Sequence, residues 1–181
     1  MQEIICVLDI SGSMQAVKED AVIGFNQFLV EQQSVGDANL TVIFFDQSFK
    51  VEFEGNIKEM KPLEYWPYGD TTALTDAIGK SFAHVKNRFS REKPEKVIMA
   101  ILTDGEENSS MEFSKEMVSD LIKEHQEKYA WDVIFLAADQ DAWKTAQSYS
   151  IKKSNTVNYS SNNTVGGFNS YSSSVLRSRG F

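Results

Sequence analysis

Ile4-Ile5-Cys6-Val7-Leu8 leads directly into Asp9-Ile10-Ser11-Gly12-Ser13, and the reading of this stretch decides the fold. The apolar run is too short for a helix and is bounded by glycine, so it reads as a buried strand. Side chains two apart on an extended exit point the same way, which gathers Asp9, Ser11 and Ser13 on one side of the loop. A carboxylate and two hydroxyls at one point are hard oxygen donors. Gly12 allows a tight turn between the serines, and the apolar periodicity after Met14 predicts that a helix starts there. Taken alone, the same residues also fit a strand end, a turn and a serine N-cap.

Outward from that point, the predicted helix spans about Met14 to Gln33, with Met14, Val17, Ala21, Phe25, Phe28 and Leu29 on one face. Leu40 to Phe45 reads as a second strand. Phe49 to Phe53 follows as an antiparallel edge strand, because Val51 and Phe53 alternate with Lys50, Glu52 and Glu54. Residues 55 to 71 form a long loop carrying Tyr65, Trp66 and Tyr68, and loops of this length are often functional. A helix over about Ala73 to Phe89 precedes Val97-Ile98-Met99-Ala100-Ile101-Leu102, whose lack of alternation marks a strand buried on both faces. That strand ends in Thr103-Asp104-Gly105. Then come a helix from about Phe113 to Tyr129, a strand from Trp131 to Ala137, a helix from about Asp141 to Tyr149 and a short strand from Thr156 to Tyr159. The Ser- and Asn-rich stretch from Asn162 reads as a weak final helix over about Val165 to Arg177, with disorder as the alternative.

This order predicts the α/β class: a doubly wound, mostly parallel six-stranded sheet with one antiparallel edge strand and helices on both faces. Residues 1–160 are expected to form one domain, with 161–181 as a C-terminal segment that adds its last helix. A chain of 181 residues can enclose a real core. Its net charge of −8 argues against nucleic acid as a partner, since that usually needs a basic face. No apolar run approaches the roughly 20 residues that cross a bilayer, so no membrane partner is expected. The first residues enter a strand without the basic start of a signal peptide, and the one cysteine, Cys6, cannot form an internal disulfide. Both features point to the cytoplasm.

In doubly wound sheets ligands bind beyond the carboxyl ends of the strands, where strand order reverses. Asp9 stands at that end of the first strand and Asp104 at that end of the fourth. Between them in sequence, Gly69-Asp70-Thr71-Thr72-Ala73-Leu74 places two threonines in a loop leading into a helix. If the first and fourth strands are neighbours, two carboxylates and three hydroxyls surround one cavity. Such a set suits Mg²⁺, with a position left for water or an outside ligand.

The pattern resembles the von Willebrand factor A domain and its metal-ion-dependent adhesion site, Asp-x-Ser-x-Ser followed by Thr and then Asp. Asp9, Ser11 and Ser13 match the first part. Thr72 matches the threonine, because Thr-Ala-Leu leads on into Asp76-Ala77-Ile78-Gly79, and Asp104 in Leu-Thr-Asp-Gly matches the last part. Asp70-Thr71 stands where Gly-Gly is usual, so Thr71 is the alternative to Thr72 as ligand. Trp131 to Leu136 with Asp139-Gln140-Asp141-Ala142 is similar to small stand-alone members of bacteria and phages. The resemblance implies a binding module without catalytic activity. In it the serines and threonine bind Mg²⁺ (or Mn²⁺ or Ca²⁺) directly, the aspartates bind directly or through water, and a partner protein supplies an Asp or Glu. ATP-driven assembly machines are the partners that the family context suggests.

Other residues carry weaker readings. Glu106 and Glu107 are expected to be solvated loop charges, with a second ion as the alternative. Tyr65, Trp66 and Tyr68 read equally as the rim of a partner site and as packing. His84 and His125 read as helix-surface residues, Cys6 as core, and Asp139 and Asp141 as caps for the next helix. Two other functions remain open: a metal-dependent phosphatase or phosphotransferase with Asp9 as nucleophile, and an assembly protein that docks through its C-terminal tail. The first normally needs a second carboxylate two residues on, where this chain has Ser11. Serine hydrolysis is weaker still, since no Gly-x-Ser-x-Gly elbow occurs.

Overall fold

The computed structural model describes residues 1–90, 93–138 and 141–181. Its strands are β1 (Gln2–Asp9), β2 (Asn39–Phe45), β3 (Phe49–Asn56), β4 (Lys96–Thr103), β5 (Asp132–Ala138) and β6 (Thr156–Tyr159). They form one six-stranded sheet in the order β3-β2-β1-β4-β5-β6. Every neighbouring pair is parallel except β2 with β3. The chain therefore moves outward from β1 on one side and returns on the other, so the order reverses between β1 and β4. Asp9 and Asp104 flank that reversal, which is where a doubly wound sheet binds its ligands.

The helices are α1 (Lys18–Ser34), α2 (Leu74–Phe89), α3 (Lys115–Lys128), α4 (Ala142–Ser148) and α5 (Thr164–Arg179). Ile4, Cys6 and Leu8 of β1 pack with Phe25 and Phe28 of α1 and Phe168 and Tyr171 of α5. Ile5 and Val7 pack on the other face with Leu74 and Ile78 of α2, Val118 and Ile122 of α3, and Ala146 of α4. Both faces being covered, β1 has no polar side to show, which is why its sequence does not alternate. Cys6 is buried in this core, and burial pushes its thiol up to about 12.

Three elements differ from the sequence reading. The first helix does not begin at Met14: residues Gly12–Val17 form a 3-10 helix, and α1 starts only at Lys18. The Met14 N–H closes a short turn onto the Ser11 carbonyl, while the Gly12 N–H is drawn to the carbonyl of Asp70. The strong dipole of an α-helix N-terminus therefore lies more than a turn away from the serines. Strand β3 continues to Asn56, three residues beyond Phe53, because pairing with β2 runs back to Asn39 across a bulge at Val42/Ile43. A single 3-10 turn, Ile57–Glu59, then opens the loop.

The Ser- and Asn-rich segment is helical as α5, and its ends explain why. Asn163 caps the start, its Oδ1 accepting from the Gly166 N–H at 3.0 Å, and Gly180 ends the helix with a left-handed φ of 95°. Gly24 of α1 lets α5 approach closely, since a Cβ there would stand 2.5 Å from the Phe168 ring. Near its C-terminus Arg179, 5% exposed, donates to the carbonyls of Gln32 and Gly36 at 2.8 and 3.0 Å.

Candidate metal centre

Asp9 is the innermost group of the site and is fully buried. Its Oδ1 accepts from the Ser11 N–H at 2.7 Å, and its Oδ2 from the Thr103 hydroxyl at 2.5 Å. Burial pushes its carboxyl up to about 6 against those two hydrogen bonds, and the charge of Asp104 adds to the rise. The serine hydroxyls lie 3.2 Å apart, and Ser13 donates to Asp104 Oδ1 at 2.7 Å. Thus one short row of oxygens runs from Ser11 through Ser13 to Asp104, across the gap between β1 and β4.

Thr72 completes the set. A Cβ on Gly105 would lie 2.9 Å from Thr72 Oγ1 and 3.7 Å from Ser11 Oγ, so the threonine hydroxyl faces the same small space. Thr72 is 3% exposed, and among the described residues no group hydrogen-bonds to its hydroxyl. Thr71 points elsewhere: its hydroxyl approaches Gln47 Oε1 at 3.5 Å on the surface. Two carboxylates and three hydroxyls are the donors that a hard divalent cation takes, and the residues present fit such an ion.

The model of the von Willebrand factor type A domain matches residues 3–170. The chain belongs to this family. Among solved structures, this A domain is similar to proximal thread matrix protein 1 from the mussel byssus, in a form whose adhesion motif is occupied by zinc. The two are 20% identical with a TM-score of 0.63, over 97% of this chain and 48% of the mussel chain. An ArnB paralogue from Sulfolobus acidocaldarius is 17% identical with a TM-score of 0.60, over 91% and 43% of the two chains. BatB from Bacteroides thetaiotaomicron is 13% identical with a TM-score of 0.58, and the match covers 100% of both chains. This chain spans less than half of the mussel and Sulfolobus proteins. No curated protein sequence matches it.

The loop of the A domain between β4 and α3 does more than carry Asp104. Glu107 is not a solvated charge: its Oε2 accepts from the Thr75 N–H at 2.7 Å, and its Oε1 from the N–H groups of Ser109 and Ser110 at 3.0 and 2.8 Å. Burial alone would raise its carboxyl, but these bonds outweigh it and hold the group below its ordinary range. Asp76, in the first turn of α2, reaches back to accept from the N–H groups of Met111, Glu112 and Phe113 at 2.8 to 2.9 Å. Its carboxyl is likewise lowered, the hydrogen bonds again outweighing burial. Glu106 is exposed. The bonds from Glu107 to Thr75 and from Asp76 to Met111, Glu112 and Phe113 join residues more than 30 apart and leave no periodic signal in the sequence.

The aromatic loop divides between its two readings. Trp66, 4% exposed, packs against Phe44 and Phe168 and donates from Nε1 to the Asp9 carbonyl at 3.2 Å. Tyr65 and Tyr68 stand 68% and 80% exposed. His84 meets Glu54 at 2.6 Å. His125 is not a simple surface residue, since its ring lies 4.6 Å from both Phe82 and Trp131. Asp141 caps α4, accepting from the Lys144 N–H at 3.0 Å, whereas Asp139 lies outside the described residues. Among the described residues no helix is long and apolar enough to cross a membrane.

Proposed function

We propose that this A domain is a protein-interaction module that works through a divalent cation, Mg²⁺ in the cell with Mn²⁺ or Ca²⁺ able to replace it. Ser11, Ser13 and Thr72 would hold the ion by their hydroxyls, with Asp9 and Asp104 binding directly or through water. When bound, the ion supplies an electrophilic centre for an Asp or Glu of a partner protein, because the closest donors are neutral. The observation that carries this reading is the convergence of the Ser11, Ser13 and Asp104 oxygens with the Thr72 hydroxyl, which faces Ser11 across Gly105. The zinc-occupied adhesion motif of the mussel relative supports it.

The same reading makes the protein a cytoplasmic adaptor without catalytic activity, engaging a protein such as an ATP-driven assembly machine rather than nucleic acid or membrane. The phosphotransferase alternative is disfavoured by the burial of Asp9, whose two oxygens are each already engaged. Docking through the tail is disfavoured because Phe168, Tyr171 and Val175 of α5 are spent in the core.

The test is capture of host proteins by wild type and Asp104→Ala, each in Mg²⁺ and in EDTA. A partner held only by wild type in Mg²⁺ is the expected result, and its loss on mutating one surface Asp or Glu of that partner would complete the case. Equal capture in all four conditions would overturn the reading.

A further inference from the structure

We infer that Asn108 is the positioning residue that sets the Thr72 hydroxyl in the metal site, an inference resting on the metal-dependent reading above. Thr72 lies two residues before the first residue of α2, and the residue between, Ala73, caps the helix without any side-chain hydrogen bond. The N–H groups of Thr75 and Asp76 in the first turn, which have no partner within the helix, are met by Glu107 and Ser110 of the loop after β4. From that same loop Asn108 holds Thr72 itself: its Oδ1 accepts from the Thr72 N–H at 2.9 Å, and its own N–H donates to the Thr72 carbonyl at 3.0 Å. Both sides of the Thr72 peptide are therefore tied to one residue four positions after Asp104. Among the described residues Asn108 is the sole acceptor for that N–H.

Of the donors assigned to the ion, the Thr72 hydroxyl is the one that among the described residues has no hydrogen bond of its own to orient it. Ser13 is oriented by Asp104, Ser11 by Ser13, and Asp9 by Ser11 and Thr103. For Thr72 direction must come from the backbone, and the side-chain half of the backbone clasp is Asn108. Groups that orient metal ligands in this way commonly contribute 10- to 100-fold to affinity.

The test uses Mn²⁺ as the probe, titrated into wild type, Asn108→Ala and Asn108→Asp, the last of which keeps the acceptor oxygen. Metal-free melting temperature and hydrogen exchange of the Thr72 amide are measured on the same samples. Asn108→Ala is expected to bind Mn²⁺ about 10-fold more weakly, with the Thr72 amide losing protection. Asn108→Asp is expected to recover binding to wild-type strength or above and to keep the amide protected. Wild-type affinity in Asn108→Ala, or equal weakening in both variants, overturns the inference while leaving the metal site standing. Failure of wild type itself to bind Mn²⁺ overturns both.

Discussion

The indole of Trp66 donates from Nε1 to the backbone carbonyl of Asp9 at 3.2 Å, joining the aromatic loop to the strand end that begins the proposed metal site. The loop is held by three further amides, one in the 3-10 helix and two on α1: Gln15 donates to Pro67, Asn26 exchanges two bonds with Leu63, and Gln33 donates to Ile57 and Met60. Trp66→Phe removes one hydrogen bond and keeps most of the packing. It is expected to cost about 1 kcal/mol in denaturant unfolding, with weaker Mn²⁺ binding. Trp66→Ala adds a cavity and should cost about 3–5 kcal/mol. A Trp66→Phe variant with wild-type stability and metal affinity would show that the contact is incidental.

Gly105 separates stability from metal binding. In Gly105→Ala the new methyl would sit 2.9 Å from Thr72 Oγ1, a side-chain atom that can turn away. Metal affinity is expected to fall at least tenfold while the metal-free melting temperature changes by only a few degrees. Thr72→Ala should behave alike, and Thr71→Ala, whose hydroxyl faces Gln47, should bind as wild type does. Isothermal titration with Mn²⁺ reads all three. Loss in Thr71→Ala without loss in Thr72→Ala would reverse the assignment.

Asp76 and Glu107 give the fold an acid-sensitive joint. Both carboxyls are lowered in the folded state, so each contributes stability that is present above its unfolded pKa of about 4 and is lost as pH falls through the lower folded value. Unfolding free energy should therefore drop from about pH 4 downward. Asp76→Asn should lower stability by about 1–2 kcal/mol at pH 7 and flatten that acid limb. Urea midpoints measured between pH 2 and 7 check it, and an Asp76→Asn profile parallel to wild type would contradict it.

Much of the fold is legible in the sequence because burial leaves a direct trace. The unbroken apolar runs of β1, β4 and β5 could belong only to strands covered on both faces, and Asp9, Thr72 and Asp104 each fall at the C-terminal mouth of that sheet. The 3-10 start before α1 was hidden, because the same apolar spacing suits either helix and the deciding bond comes from Asp70. Glu107 and Asn108 were unreadable for a related reason: their partners are backbone N–H groups, which any residue can offer. Gln15, Asn26 and Gln33 were unreadable likewise, since they bond mainly to backbone carbonyls. Trp66 was readable as an aromatic, but only its place against Phe44 and Phe168 distinguishes a buried pin from the exposed Tyr65 and Tyr68 beside it.

The most direct test of the central claim is the anomalous scattering map of a crystal soaked in Mn²⁺. One peak is expected within coordinating distance of the Ser11, Ser13 and Thr72 hydroxyls, beside Asp9 and Asp104, and it should vanish in Asp104→Ala. A peak at other residues, or none at a Mn²⁺ concentration that saturates binding in solution, would contradict the claim.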